Sequence, residues 1–111
     1  MTPQEYAQQK AAASGSSFYY AFLFLPPERR AAITAFYAYC REIDDVVDEV
    51  SDPGIAQSKL DWWRGEVRNA FAGQASHPAL QALLPHSQTF GIEARHLLQV
   101  IEGCEMDLTQ T

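Results

Sequence analysis

Residues 27–50, PERRAAITAFYAYCREIDDVVDEV, decide the fold class, because they carry the strongest helical periodicity in the chain. Their large apolar residues recur every three or four positions, as on one face of an α-helix. These residues are Ile33, Phe36, Cys40, Ile43, Val47 and Val50. The pattern predicts a helix from about Pro27 to Glu49, with proline in the first turn, where it is tolerated.

Shorter helical patterns precede this segment. Residues 2–5, TPQE, have the form of a capping box with proline at the first helical position, and they predict a helix that ends near residues 14–15. A second, apolar helix is expected over residues 18–25, and it should end at the prolines at 26–27 because proline cannot continue a helix.

Three more helical patterns follow the long helix. The first begins at residues 52–53, an Asp-Pro cap, and ends at Gly73. The second runs from residue 77 to residue 91 and is expected to kink at Pro85, and the third begins near Glu93. No run of alternating apolar and polar residues indicates a strand. We therefore predict an all-α chain, in which residues 1–111 form a single helical domain.

Length and charge narrow the class of protein. A chain of 111 residues with 47% hydrophobic residues fits one domain with a real core. A net charge of -6 argues against nucleic acid, because phosphate backbones need clustered Lys and Arg. The longest apolar run, residues 18–25, is far shorter than the roughly 20 residues of a membrane span, and no signal-peptide pattern precedes it. We expect a cytoplasmic protein without a transmembrane segment.

The cysteines and histidines do not indicate a metal site. Cys40 and Cys104 both fall within apolar-periodic segments, which favours buried thiols over a disulfide, and no CxxC spacing indicates zinc. The three histidines share neither a helix face nor a ligand spacing, so we interpret them as structural or exposed. Trp62 and Trp63 are interpreted as packing and helix-surface residues rather than as a stacking platform.

One stripe of the long helix carries side chains suited to chemistry. Its members are Tyr37, Arg41, Asp44 and Asp48. At 100° per residue they fall within about 60° of one another, whereas Asp45 and Glu49 diverge by roughly 80° and 120° from the first of them. The centre of the large apolar face lies about 90° from the stripe. We therefore expect Asp44 and Asp48 at the border of the core, and Glu49 toward water.

Two carboxylates on successive turns suit a shared cation. Asp44 and Asp48 repel each other in an isolated helix, and this repulsion is offset if a cation lies between them. Magnesium prefers hard oxygen ligands and is commonly shared between carboxylates and substrate phosphates. Arg41, one turn earlier, has a planar fork that fits phosphate oxygens. A solvated acidic face is the alternative at this point, and an EF-hand does not fit because its D-x-D-x-D-G loop is missing.

Three motifs together resemble the squalene/phytoene synthase family of head-to-head prenyltransferases. Residues 17–26, SFYYAFLFLP, are similar to its S-F-x-x-A-F-x-x-L-P segment. Residues 37–49, YAYCREIDDVVDE, resemble its Y-x-x-C-R-x-x-D-D-x-x-D motif, and residues 103–108, GCEMDL, resemble its G-x-x-M-D-L stretch. The likeness covers essentially the whole chain. Within the family it is greatest to the bacterial branch of hopanoid biosynthesis that makes presqualene diphosphate.

The resemblance implies a fold and a set of site residues. The fold is the α-helical isoprenoid-synthase type, with two facing aspartate-rich motifs around a central cavity, and this chain would form its N-terminal helices. By resemblance, Asp44 and Asp48 hold Mg²⁺ on a diphosphate with help from Asp45, and Arg41 binds that diphosphate. The residues that would line the site are Ser17, Phe18 and Tyr37.

The resemblance also implies a reaction. Mg²⁺ helps a prenyl diphosphate lose its diphosphate, and a second farnesyl diphosphate attacks the resulting allylic cation. The product is presqualene diphosphate, then squalene, or phytoene in another branch. NADPH use stays open because no nucleotide motif is visible. The resemblance leaves room for peripheral membrane contact.

The second aspartate-rich motif is missing from the 111 residues. The last five residues, 107–111, also lack the glycine or proline that often follows a helix. We therefore expect a truncated and inactive fragment. We also expect self-association through apolar faces that later helices would have covered. Those faces carry Phe36, Ile43, Val47, Leu60, Trp63, Leu97 and Ile101.

Two other functions remain open. Head-to-tail prenyl diphosphate synthases and terpene cyclases also carry DDxxD on a helix. The upstream Tyr37-x-x-Cys40-Arg41 favours the head-to-head family. A non-enzymatic helical domain that binds a partner through apolar faces would show no magnesium-dependent binding of diphosphate.

Overall fold

The structure, a computed structural model, describes residues 1–13 and 17–109, and all regular elements within these ranges are helical. Side chains are described for residues 1–13 and 20–108. The helices are α1 (Pro3–Ala13), α2 (Ser17–Phe22), α3 (Pro27–Glu49), α4 (Pro53–Phe71), α5 (Pro78–Leu83), α6 (Ser87–Phe90) and α7 (Ala94–Thr109). The all-α prediction is confirmed.

Two helix starts form as the sequence predicts. In the capping box of α1, the Glu5 N–H donates to Thr2 Oγ1 at 3.1 Å, and the Thr2 N–H donates to Glu5 Oε1 at 3.3 Å. At the start of α4, Asp52 Oδ1 accepts from two backbone N–H groups of the first turn, at 2.8 and 3.2 Å. The predicted end of α1 near residues 14–15 lies outside the described residues.

The helix ends and turns that follow α4 also lie where the sequence predicts them. Gly73 (φ +91°) follows that helix and Gly91 (φ +67°) follows α6, both in the left-handed region that favours glycine. Pro85 lies in a 3₁₀ turn, Leu84–His86, which joins α5 to α6 and forms the predicted kink.

Helix α2 is shorter than predicted. It ends at Phe22 rather than Leu25, and the next three residues form successive turns in which each N–H donates to the carbonyl three residues earlier. The physical reason is the proline pair that follows. Pro26 lacks an N–H and disfavours helical geometry at the residue before it, so the last turn tightens before the chain changes direction.

The core surrounds α3, which contacts α1, α4, α5 and α7. The largest fully buried side chains are Tyr39, Ile43, Leu60, Val67, Leu80, Leu83, Leu97 and Ile101. The Tyr39 hydroxyl donates to the Leu97 carbonyl at 2.7 Å, and its ring meets Trp63 edge-on at 5.9 Å. Burial raises the pKa of Tyr39, so this hydroxyl stays a donor. One side chain thus joins α3, α4 and α7.

Helix α3 buries a different face from the one that its large residues predict. Its fully buried positions are Ala35, Ala38, Tyr39 and Ile43, and Val46 is nearly so, whereas Ile33 is exposed. This face lies about 90° round the helix from the predicted one, at 100° per residue. The reason is close packing: alanines let α1 and α5 approach α3, and counting only large apolar residues overlooks them.

The sequence predicts that seven apolar residues, at positions 36, 43, 47, 60, 63, 97 and 101, lie on helix faces left uncovered in this chain. This prediction is wrong for most of them. Five of those seven are buried within this chain, and only Phe36 and Val47 are partly buried. Other large apolar residues are exposed instead: Tyr20, Leu23, Phe24, Leu25, Ile33, Ile55, Trp62, Phe90 and Met106. In the part of the chain that the structure describes, no helix is long and apolar enough to cross a bilayer.

Candidate active site

The stripe of α3 lies on the opposite side of the helix from the buried face. Tyr37 is half-buried, Arg41 and Asp44 have side chains 33% and 47% exposed, and Asp48 is exposed. Asp48 therefore does not border the core as expected, because the helix is rotated. Glu49 is exposed, as predicted. Within this chain the stripe faces outward, where hydrated carboxylates and a guanidinium can meet a ligand.

The Asp45 carboxylate forms ion pairs with two positively charged side chains, one of them on α1. Its Oδ2 pairs with Lys10 Nζ at 2.5 Å, and its Oδ1 accepts from Arg41 Nη2 at 3.1 Å. Its side chain is only 18% exposed. Both oxygens of Asp45 therefore have cationic partners within this chain, and Arg41 links this carboxylate to the stripe.

Asp44 is held from a distant helix. The Cys104 thiol on α7 donates to Asp44 Oδ1 at 3.2 Å, and Arg41 Nη1 lies 3.9 Å from Oδ2. Burial, followed by the hydrogen bond to Asp44, raises the pKa of Cys104 to about 12, so the sulfur stays protonated as a donor near neutral pH. Cys40 and Cys104 are both free thiols and half-buried, which agrees with the interpretation against a disulfide.

Aromatic rings adjoin the first turn of the stripe. The ring of Phe22 on α2 meets Tyr37 edge-on, with centroids 5.7 Å apart. This contact places the short apolar helix α2 beside the polar stripe. The side chains of Ser17 and Phe18, which the sequence assigns to the site, lie outside the described side chains.

Helix α1 contributes contacts that sequence reasoning missed. The Tyr6 hydroxyl donates to Glu42 Oε1, and Lys10 Nζ lies 3.8 Å from the same oxygen. Burial and then the Glu42 hydrogen bond raise the pKa of Tyr6, which keeps its proton on the hydroxyl. One signal was available: Lys10 is the only Lys or Arg among residues 1–28, and Glu42 and Asp45 lie one turn apart on α3.

Comparison with known proteins assigns the chain to a family. The family described as Squalene/phytoene synthase matches residues 11–111, which is 101 of the 111 residues. The chain belongs to the squalene/phytoene synthase family.

Named members of the squalene/phytoene synthase family cover nearly the whole chain. Presqualene diphosphate synthase of Sinorhizobium fredii is 34% identical over 105 residues, 95% of this chain and 37% of that protein. The 15-cis-phytoene synthase of Synechocystis sp. is 34% identical over 104 residues, 94% of this chain and 31% of that protein. The chain therefore spans about a third of the length of these relatives. No solved structure matches.

The stripe fits one kind of magnesium site that the squalene/phytoene synthase fold implies. In the described residues no group of three or more His, Cys, Asp or Glu side chains is placed to hold a metal. A closed cage made only of protein ligands therefore does not fit. Two outward carboxylates, Asp44 and Asp48, suit Mg²⁺ that keeps waters and is shared with phosphate oxygens, which is its common mode.

The other residues singled out in the sequence, two tryptophans and two histidines, have structural roles in the described part of the chain. Trp63 is buried, whereas Trp62 is exposed on the helix surface, as interpreted from the sequence. His77 Nδ1 accepts from the Ala79 N–H at 3.1 Å and so caps α5, and its ring lies 4.6 Å from Trp63. His96 Nδ1 likewise accepts from the Glu93 N–H at 3.0 Å. The described contacts give these rings packing and capping roles.

Proposed function

We propose that this chain supplies the first aspartate-rich motif of a magnesium-dependent prenyltransferase. The complete enzyme condenses two farnesyl diphosphates head to head toward presqualene diphosphate and squalene. The observation that carries the proposal is the outward stripe of α3, with Arg41, Asp44 and Asp48 on successive turns in a member of this family. In this assignment, Asp44 and Asp48 hold Mg²⁺, and Tyr37 and Arg41 face the substrate.

In the proposed reaction, the C1–O bond of one farnesyl diphosphate breaks and its electron pair leaves with the diphosphate. Bound Mg²⁺ supplies positive charge to this leaving group. Arg41 has five N–H donors and commits one nitrogen to Asp45, so the rest of its fork can hold phosphate oxygens. The π electrons of the second farnesyl diphosphate attack the allylic cation, and loss of a proton closes the cyclopropane ring.

Tyr37 and Phe22 are suited to the apolar side of this site. Their rings meet where α2 packs on α3, one turn before Arg41. Aromatic faces carry negative potential, and they can stabilise an allylic cation while keeping water away from it. We propose that Ser17 and Phe18 of the same helix extend this lining.

The proposal assigns binding rather than turnover to the 111 residues alone. They contain one aspartate-rich motif, and the facing motif of the family is not among them. We therefore propose that the isolated chain binds pyrophosphate together with Mg²⁺ but makes no product. We propose no role for NADPH at this motif.

Product analysis of a complete enzyme that contains this segment tests the proposed reaction. Incubation with farnesyl or geranylgeranyl diphosphate and Mg²⁺ should yield presqualene diphosphate from the former, and squalene when NADPH is added. Phytoene from the latter would change the substrate but keep the reaction. A longer linear prenyl diphosphate or a cyclic terpene would support the head-to-tail or cyclase alternatives. No turnover and no magnesium-dependent binding would support a non-enzymatic helical domain.

We also propose that the isolated chain self-associates, through a surface other than the one expected from the sequence. Phe24 is 90% exposed, and the next residue, Leu25, lines a groove whose apolar walls also include Ile33, Phe36 and Phe90. Contiguous apolar surface of this kind is rarely left uncovered in a monomer. Sedimentation over a range of micromolar concentrations should show a concentration-dependent dimer. A folded monomer at every concentration would contradict this proposal.

A further inference from the structure

We infer that Lys10 is a positioning residue for diphosphate binding, which acts by neutralising Asp45 and so leaving Arg41 free to face the ligand. The inference rests on the proposed function, because it takes Arg41 as the group that contacts diphosphate. It adds a residue on α1, outside the motif of α3, and gives that residue a definite electrostatic role.

The contacts form a short chain from α1 to the stripe. Lys10 Nζ lies 2.5 Å from Asp45 Oδ2, and Asp45 Oδ1 lies 3.1 Å from Arg41 Nη2. The lysine is thus the nearer of the two cations. Its side chain is 27% exposed and that of Asp45 is 18% exposed, so solvent screens this pair only in part.

Competition between the two cations gives Lys10 its function. A carboxylate accepts several hydrogen bonds, and Asp45 uses one oxygen for each cation. Without Lys10, the full negative charge of Asp45 would draw the guanidinium toward α1 and away from the stripe. With Lys10 in place, Arg41 keeps a single hydrogen bond to Asp45, and its other donors can turn toward a ligand between Asp44 and Asp48.

The lysine is itself held by a second contact on the same side. Lys10 Nζ lies 3.8 Å from Glu42 Oε1, the oxygen that also accepts from the Tyr6 hydroxyl. Burial alone would lower the pKa of Lys10, but the Asp45 hydrogen bond and the charge of Glu42 raise it overall, so the ammonium stays charged. Glu42 is thus a second anionic partner that helps to hold Lys10 beside Asp45.

Calorimetric titration of the 111-residue chain with pyrophosphate in the presence of Mg²⁺ tests the inference. Lys10→Met should raise the Kd about three- to fivefold, the order expected for one partly exposed ion pair. Lys10→Arg keeps the charge and should restore binding to within about twofold. In an Asp45→Asn background the Lys10→Met change should have no further effect, because no carboxylate remains to draw Arg41 away.

Two control variants separate the proposed role of Lys10 from a general loss of positive charge and from a loss of folding stability. Lys59 is exposed and lines the same pocket as Lys10 and Asp45, so Lys59→Met removes the same charge from the same region and should leave the Kd unchanged. Tyr6→Phe removes the hydrogen bond from α1 to Glu42 while keeping Lys10 and Asp45, and so it controls for weaker docking of α1. Urea unfolding of each variant shows whether the fold is intact.

The possible outcomes are distinct. If the wild-type chain shows no magnesium-dependent binding, the proposed function fails and the inference falls with it. If the wild type binds and Lys10→Met binds equally well, the inference alone is overturned. It is also overturned if Lys10→Met weakens binding to the same extent in the Asp45→Asn background, because Lys10 would then act only through the structure.

Discussion

The Cys104 sulfur on α7 lies 3.2 Å from Oδ1 of Asp44 on α3, so a thiol holds the first carboxylate of the aspartate-rich stripe. These two residues are 60 positions apart in the sequence. The packing of α7 on α3 brings them together. Since groups that hydrogen-bond a metal-binding carboxylate fix its orientation, the last described helix helps to shape the candidate site.

We predict that Cys104→Ala weakens magnesium-dependent pyrophosphate binding about tenfold, the lower end of the usual effect of such partners. Alanine removes the donor and lets the Asp44 carboxylate rotate. Cys104→Ser keeps a hydroxyl donor and should bind nearly as well as the wild type. Calorimetry with thermal unfolding as a check on folding measures both. Equal binding by all three proteins would show that the thiol does not orient Asp44.

Arg41→Lys tests the guanidinium fork. Lysine keeps the charge but offers no bidentate geometry, so we expect pyrophosphate affinity to fall about tenfold, the cost of one charge-assisted hydrogen bond. Arg29→Lys, on an exposed turn of the same helix, is the matched control and should leave affinity unchanged. If Arg41→Lys binds as tightly as the wild type, the role of Arg41 is limited to its ion pair with Asp45.

His77 should make stability depend on pH. Burial lowers the pKa of His77 below its usual range, so the folded state disfavours the proton that the unfolded chain takes up near pH 6.5. The free energy of unfolding should therefore decrease as the pH falls below about 6.5 toward the lower folded pKa. His77→Asn keeps a capping acceptor for α5 but does not titrate, and it should flatten this part of the profile.

Urea unfolding between pH 7 and pH 5 measures the effect. His86→Asn, at a position whose side chain makes no capping hydrogen bond to α6, controls for the replacement of an imidazole by an amide. A slope that is the same in His77→Asn and in the wild type would place the pH sensitivity elsewhere in the chain.

Local signals in the sequence were sufficient for most helix boundaries. The capping box at residues 2–5, the Asp52 cap and Gly73 each act within one turn, and the structure places all three where predicted. Helix α3 has the predicted bounds for the same reason. Helix α2 was the exception, because the effect of the following prolines reached three residues further back than expected.

The orientation of α3 could not be predicted from its own residues. Which face a helix buries depends on what packs against it, and the alanines at 35 and 38 are fully buried although they contribute little to an apolar pattern. The contacts of Lys10 and Cys104 with the stripe were missed for a related reason. They join residues 35 and 60 positions apart, and a single sequence does not show which distant helices pack together, although Lys10 stands out as the only Lys or Arg among residues 1–28.

The central claim is that Asp44 and Asp48 form one magnesium-dependent diphosphate site, and calorimetric titration of the chain with pyrophosphate, with and without Mg²⁺, tests it most directly. The wild type should bind only with Mg²⁺. Asp44→Asn and Asp48→Asn should each weaken binding by about tenfold or more, because each removes an anionic ligand and nearly preserves shape. Glu49→Gln, on the outward arc, should bind like the wild type. Binding that needs no Mg²⁺, or equal losses at all three positions, would contradict the claim.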